Sequence, residues 1–233
     1  MSIEFSDDFA GAAADLDGRV SLTGHVWNDG NDRFQVNGSG LLEAKVWTDG
    51  GRYADVHLSE GAVGMSAVGI WGGTSDAIGN NAGIVLICSA VNDRPGSPGS
   101  YGIYYNAVHP VFGDWQTGID IWIDGAGTRL YTHNYAARLD RDTPYEFGWT
   151  LDGTTLIVDC PDGTTHNVTD SRWPTWIGAH LIYQIYNSGN SANQPRIESV
   201  NASIADPTPP VAGTLLSLGG SVLAIGGQLL AIP

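Results

Sequence analysis

The sequence predicts an all-β protein: a two-sheet antiparallel sandwich over residues 1–205, a proline-rich connection at 206–213 and a short C-terminal three-stranded β meander at 214–233. Three observations predict it. No stretch between residues 1 and 205 sustains an apolar period of 3.6 residues, whereas short runs rich in Val, Ile, Tyr and Trp recur between Gly, Asn, Asp and Pro clusters. Glycine supplies 32 of 233 residues and charged residues only 15%, a composition of short strands and tight turns. The ending TLLSLGGSVLAIGGQLLAIP carries no charge and alternates five-residue apolar runs with Gly-Gly pairs.

Strands are predicted at 41–48, 53–59, 63–71, 83–91, 101–108, 117–123, 129–135, 145–151, 155–160, 165–169, 179–186 and 196–204. A dozen strands are too many for an immunoglobulin-like domain and suit a larger sandwich. Asp-Gly steps in LDGTT (151–155) and CPDGTT (160–165) fit tight hairpins, because Gly accepts the positive φ such turns need. Residues 143–168 therefore read as a three-stranded meander. Longer loops fall at 72–82, 92–100 and 109–116, the places where a sandwich tends to carry binding residues. DPTPPVAG at 206–213 cannot continue a central strand and marks a boundary.

Twenty-five acidic against ten basic residues leave a formal charge of −15, which repels nucleic-acid phosphates and anionic membrane surfaces. Neither nucleic acid nor membrane is expected as a partner. The start MSIEFSDDFAG lacks the basic and apolar regions of a secretory leader, so folding in cytoplasm is expected. Cys88 and Cys160 lie in apolar runs, where buried reduced thiols are expected rather than a disulfide. Eight Trp and nine Tyr suit core and cross-strand pairs, with a sugar-stacking surface as the alternative.

The run TPYEFGWTLDGTTLIVDCPDGTTHNVTD, followed by IGAHLIYQIYNSGNSANQPRIESVNASI, resembles the second half of a concanavalin A-like or laminin-G-like jelly-roll domain. The opening FSDDFAGAAADLDGR and GHVWNDGNDRFQVNGSGLLEA resemble the first strands of such domains in virion proteins of tailed phages, particularly those infecting actinobacteria. The resemblance implies two antiparallel sheets, one concave, with carbohydrate or protein ligands held by that face or by loops at its edge. It also implies a virion surface location, on a minor tail protein or fibre-like appendage, or as a capsid decoration protein. Other virion proteins and host cell-wall glycan are then the expected partners.

The same fold hosts glycoside hydrolases, which need two carboxyl groups across the scissile bond. The glucanases of this family carry ExDxxE on one strand. Here GIDIWIDG offers only Asp120 and Asp124, on one strand face, without the glutamates and with Trp122 between them. The expectation is no catalytic residue, with a polysaccharide-degrading enzyme acting through Asp120 and Asp124 as the alternative. Six histidines show no HxH or HExxH spacing, so no zinc site is expected. WNDGNDRF (27–34) and ARLDRDTPY (137–145) offer oxygen ligands, and Asp29 and Asp32 are the candidates for a structural Ca²⁺ of the kind concanavalin-like domains carry. Glycan binding requires an aromatic face ringed by Asp, Asn and Gln. Trp71, Tyr104, Tyr105 and Trp115, beside the long loops, are the candidates, with core packing as the alternative; Tyr104 and Tyr105 face opposite sides of one strand.

The tail reads as strands because two Gly-Gly pairs penalise a helix interior and suit two-residue hairpin loops. Leu216, Leu218, Leu223, Ile225, Leu230 and Ile232 then share one face. Leaving these six side chains in water would forfeit on the order of 10 kcal/mol at ~25 cal/mol per Å². The face needs a cover, either two further copies in a homotrimer or a larger virion protein. Light scattering of the full chain should give a trimeric mass that falls to monomer when residues 206–233 are deleted; a monomeric mass unaffected by the deletion would contradict self-association.

Overall fold

The computed structural model describes residues 1–30, 32–45, 50–72, 82–90, 101–107, 116–123, 126–137, 139–187, 195–206, 216–218 and 221–223. In chain order these form β1 (Ser2–Asp7), β2 (Ala14–Asp15), β3 (Phe34–Val36), β4 (Leu42–Ala44), β5 (Gly50–His57), β6 (Ala62–Trp71), β7 (Ala82–Ser89) and β8 (Tyr101–Ala107). There follow β9 (Gln116–Ile123), β10 (Ala126–Asn134), β11 (Pro144–Asp152), β12 (Thr155–Asp159), β13 (Thr165–Thr169), the single turn α1 (Trp173–Trp176), β14 (His180–Asn187), β15 (Pro195–Ile204), β16 (Leu216–Leu218) and β17 (Ser221–Leu223). Nine strands make one sheet in the order β13-β12-β11-β6-β15-β4-β3-β2, with β1 also on β15; six make the other, β10-β9-β8-β7-β14-β5. The result is the antiparallel jelly-roll sandwich that the sequence predicts.

Each of the twelve strands predicted within residues 1–205 is present, and 143–168 is the expected meander, with β11, β12 and β13 paired in succession; the third strand predicted for the tail lies outside the described residues. The strands β1, β2 and β3 escape the sequence pattern. Two of them span only two or three residues, and β1 turns an aspartate inward where alternation would place an apolar side chain. Asp7, 1% exposed, accepts hydrogen bonds from Trp27 Nε1 (2.7 Å), Arg19 Nε (3.2 Å) and the Phe9 backbone N–H (2.9 Å). A buried carboxylate is tolerated here because each oxygen is paired. It holds the irregular N-terminal segment over the core.

Between the sheets, Trp27 meets Phe5 and Tyr183 edge to face at centroid distances of 5.4 Å. Further along, Tyr105 stacks on Phe147 at 5.7 Å and Trp71 tilts against the same ring at 5.7 Å. Trp71 and Tyr105 are 3% and 0% exposed, so both are core residues and not a stacking surface. The Tyr105 hydroxyl donates to the Asp159 carbonyl (2.8 Å), which satisfies its polar end inside the sandwich. Both cysteines are buried and neither is in a disulfide.

On one side β15 pairs with β6; on the other it holds β4 at Ile197 and β1 from Val200 to Ile204. Ser2 thus lies opposite Ile204, and the Met1 ammonium pairs with Asp206, so the C-terminal segment departs beside the N-terminus. In that segment β16 and β17 form an antiparallel pair with Leu216 opposite Leu223 and Leu218 opposite Ser221. In this register Leu216, Leu218, Ser221 and Leu223 are the positions that alternate together, Ser221 standing beside the three predicted leucines. Ile225, Leu230 and Ile232 lie outside the described residues.

Replacing Asp7 by Ala strands the Trp27 indole N–H and the Arg19 guanidinium without their acceptor. The expected loss is about 2–4 kcal/mol in urea unfolding, because a partly buried charge loses its partner.

Candidate functional site

An open sandwich normally buries one face of each sheet and wets the other. Two adjacent interior strands of the six-stranded sheet, β7 and β14, depart from that rule. Every residue of β7 from Gly83 to Ser89, and of β14 from His180 to Ile185, is buried. Ile84, Leu86, Cys88, Leu181, Tyr183 and Ile185 face the inter-sheet core. On the opposite, outer face Val85, Ile87 and Ile182 form a separate apolar cluster against which Tyr53 and Tyr104 pack, half-buried.

The register lays this face out in rows. One row runs Asp55, Ile182, Ile87, Tyr104, Asp120, Arg129 across six strands. Beside it run His57, His180, Ser89, Gly102 on one side and Tyr53, Gln184, Val85, Asn106 on the other. An apolar centre is thus bordered along each side by polar groups, of which His180 (9%), Ser89 (2%), Gln184 (4%) and Asn106 (4%) are buried.

At the β5 edge Asp55 Oδ2 takes His180 Nε2 at 3.0 Å, while Oδ1 accepts from Asn28 Nδ2 at 3.0 Å. The His57 ring stacks on His180 at 4.4 Å and 11°. Burial pushes the Asp55 carboxyl upward, but the hydrogen bonds from His180 and Asn28 together with the nearby imidazoles outweigh it and leave the group below the usual carboxylate range. With Nε2–H donating to Asp55, the matching tautomer of His180 leaves Nδ1 as an acceptor. That atom, and Gln184 Oε1 four residues along β14, are buried without a hydrogen-bond partner among the described residues. Two dry acceptors on one strand cost about 1–3 kcal/mol each, and both call for a donor.

Of the predicted glycan-stacking residues the structure places Tyr104 on this face, Trp71 and Tyr105 in the core, and Trp115 outside the described residues. Asp120 occupies the register position between Tyr104 and Arg129, and Asp124 lies outside the described residues. In the register Asp55 and Asp120 stand four strands apart, a backbone separation of about 19 Å at ~4.8 Å per strand. Glycosidase pairs stand roughly 5–9.5 Å apart. These two carboxylates are therefore no acid and base pair.

The calcium candidates are partly engaged, with Asp29 Oδ1 left buried and without a hydrogen-bond partner among the described residues. Asp29 Oδ2 accepts from the backbone N–H groups of Arg33 and Phe34, both at 2.6 Å, and Asp32 pairs with the Lys45 ammonium. The Lys45 ammonium pairs with Asp15 as well as Asp32. Burial pushes the Asp29 carboxyl upward against those backbone hydrogen bonds.

A second hollow of about 500 Å³ lies on the outer face of the nine-stranded sheet, floored by Gly64, Ser66, Gly148, Asn201 and Ser203. It exists because its floor residues are small: a Cβ on Gly148 would lie 2.3 Å from the Met65 carbonyl oxygen. The exposed Glu146 and Asp159 rim it, and no aromatic side chain on its outward positions offers a stacking face.

No family model matches the chain, and the curated proteins give no match. Solved structures do resemble it. The lumenal domain of VIP36 in its Ca²⁺/Man2-bound form superposes with a TM-score of 0.58 at 13% identity, covering 88% of this chain and 90% of that one. Its metal-free form gives 0.57 at 12% identity over 89% and 95%. A Bacillus licheniformis beta-glucanase gives 0.52 at 13% identity over 86% and 98%. The sandwich is therefore of the concanavalin A-like kind found in lectins and glucanases.

Since the Asp55 carboxyl is lowered in the folded state, its contribution to stability is present above the ordinary carboxylate pKa and is lost as pH falls through the folded value. Urea midpoints measured from pH 7 downward should decline through that window, and Asp55→Asn should flatten part of the decline.

Proposed function

We propose that the protein is a non-catalytic glycan-binding module whose ligand approaches the outer face of β14, β7 and β8 at its half-buried rim, Tyr53 and Tyr104. The observation that carries this reading is the pair of buried, unpartnered acceptors, His180 Nδ1 and Gln184 Oε1, beside an apolar patch flanked by Tyr53 and Tyr104. Sugar hydroxyls are the donors these acceptors lack, and the C–H face of a pyranose is the apolar surface that suits tyrosine. The acceptors are four residues apart on one strand, about 13 Å at ~3.3 Å per residue. A chain of sugars spans that distance and a single ring does not. With a net charge of −15 the protein favours a neutral polysaccharide over an anionic one.

The likeness to VIP36, described in a Man2-bound form, supports carbohydrate as the ligand class at the level of the fold. Hydrolysis through Asp120 and Asp124 is the alternative reading, against which stand the missing glutamates of the ExDxxE pattern. Location on a phage virion, as a tail appendage more than a capsid decoration, is supported by the resemblance of the opening residues. The uncharged C-terminal hairpin, leaving beside the N-terminus, suits display of the sandwich from a trimeric or docked base.

Retention of the protein on neutral host cell-wall polysaccharide, without new reducing ends, is the expected result. Tyr104→Ala should weaken retention by roughly 10-fold or more, since stacking anchors are worth about 1–3 kcal/mol, while leaving the thermal midpoint within a few degrees. Cleavage of the polysaccharide that disappears in Asp120→Asn, or retention unaffected by Tyr104→Ala, would overturn the proposal.

A further inference from the structure

We propose that His133, Cys160 and His166, completed by Asp162, bind a borderline-soft divalent cation of the Zn²⁺ type that fastens the two sheets together along one open side of the sandwich. The site is independent of the glycan face. β10 is the last strand of the six-stranded sheet and β13 the last strand of the nine-stranded sheet. Their inward residues His133 and His166 meet across the gap with ring centroids 4.3 Å apart. His133 faces inward because of a bulge in β10 between Arg129 and Tyr131, which shifts the register by one residue and returns Tyr131 and His133 to the core side.

The remaining donors come from the β12–β13 hairpin. Cys160 N–H donates to the Thr164 carbonyl at 2.9 Å and Gly163 N–H to the Cys160 carbonyl at 2.9 Å, with Gly163 at φ +80°. This tight turn sets Cys160, Asp162 and Thr164 beside the two imidazoles. One donor atom each from His133, Cys160 and His166 lies within 4.8 Å of the others, and Asp162 Oδ2 is 2.8 Å from His133 Nε2.

The hydrogen bonds describe what a cation would replace. Thr164 Oγ1 lies 2.7 Å from Asp162 Oδ1, 3.1 Å from His133 Nε2 and 3.0 Å from His166 Nε2. A hydroxyl has one proton, and it goes to the carboxylate. The His133 Nε2–H then goes to Asp162 Oδ2 at 2.8 Å and the His166 Nε2–H to Thr164 Oγ1, so two Nε2 atoms, a carboxylate and a thiol converge on a small volume filled by protons. A metal ion takes that place when the imidazole protons sit on Nδ1, the thiol proton leaves to solvent, and the exposed Thr164 turns to another rotamer. One thiolate, two imidazoles and one carboxylate make a four-donor set suited to Zn²⁺ or Co²⁺ and unsuited to Ca²⁺ or Mg²⁺.

The test is titration of the metal-free full chain with Co²⁺. Tetrahedral d–d bands and a thiolate-to-cobalt charge-transfer band are expected, both removed by Zn²⁺. Saturating Zn²⁺, near 100 times Kd, should raise the thermal midpoint by about 5–10 °C. Cys160→Ser should abolish the charge-transfer band, and His166→Gln, at a half-exposed edge position where folding is least at risk, should weaken Co²⁺ binding more than about 10-fold. His57→Gln should change neither. Absence of the thiolate band, its persistence in Cys160→Ser, or loss of binding only in His57→Gln, which would place the metal at Asp55, His57 and His180, would each overturn the proposal.

Discussion

Burial of both faces of β7 and β14 is the constraint on which the rest of this structure turns. A strand in a two-layer sandwich has one face for the core; these two also carry Val85, Ile87 and Ile182 on the outside, capped by Tyr53 and Tyr104. A sheet buried twice gains cohesion from the apolar area, but every polar side chain in its outer rows loses water. Ser89, Asn106, His180 and Gln184 all sit there. Where such groups find partners, as Asp55 does with His180 and Asn28, the arrangement is stable in itself. Where they do not, as with Gln184 Oε1, the fold holds an acceptor in wait of a donor.

The nine-stranded sheet serves a different end. Its strand β15 accepts β6 on one edge and both β4 and β1 on the other, so the described chain from Ser2 to Ile204 closes on itself. The buried Asp7 secures the N-terminal segment, and the segment after Asp206 leaves the sandwich next to Met1.

Much of the fold was legible from β-branched and aromatic runs between turn residues, and the meander from two Asp-Gly steps. The first strands were hidden because Asp7 stands where alternation calls for an apolar side chain. The site was half legible. Tyr104 could be named from its place beside long loops, yet its neighbour Tyr105 and the loop-adjacent Trp71 turned inward to meet Phe147. A stronger signal was present in GIVLICS and HLIYQI, apolar runs that do not alternate and so announce strands covered on both faces. The partnership of His133, Cys160 and His166 had no sequence signal, since local metal-ligand spacing cannot reveal donors that meet only when the edges of two sheets meet.

The central claim is that the dry acceptors of β14 receive ligand hydroxyls. It is tested most directly by following the side-chain amide resonances of Gln184 in isotopically labelled protein during titration with a neutral cell-wall oligosaccharide. The account predicts that the Gln184 amide shifts progressively and saturates together with signals from Tyr53 and Tyr104. Saturable binding that leaves Gln184 unmoved and perturbs residues around Gly148 and Asn201 instead would contradict it.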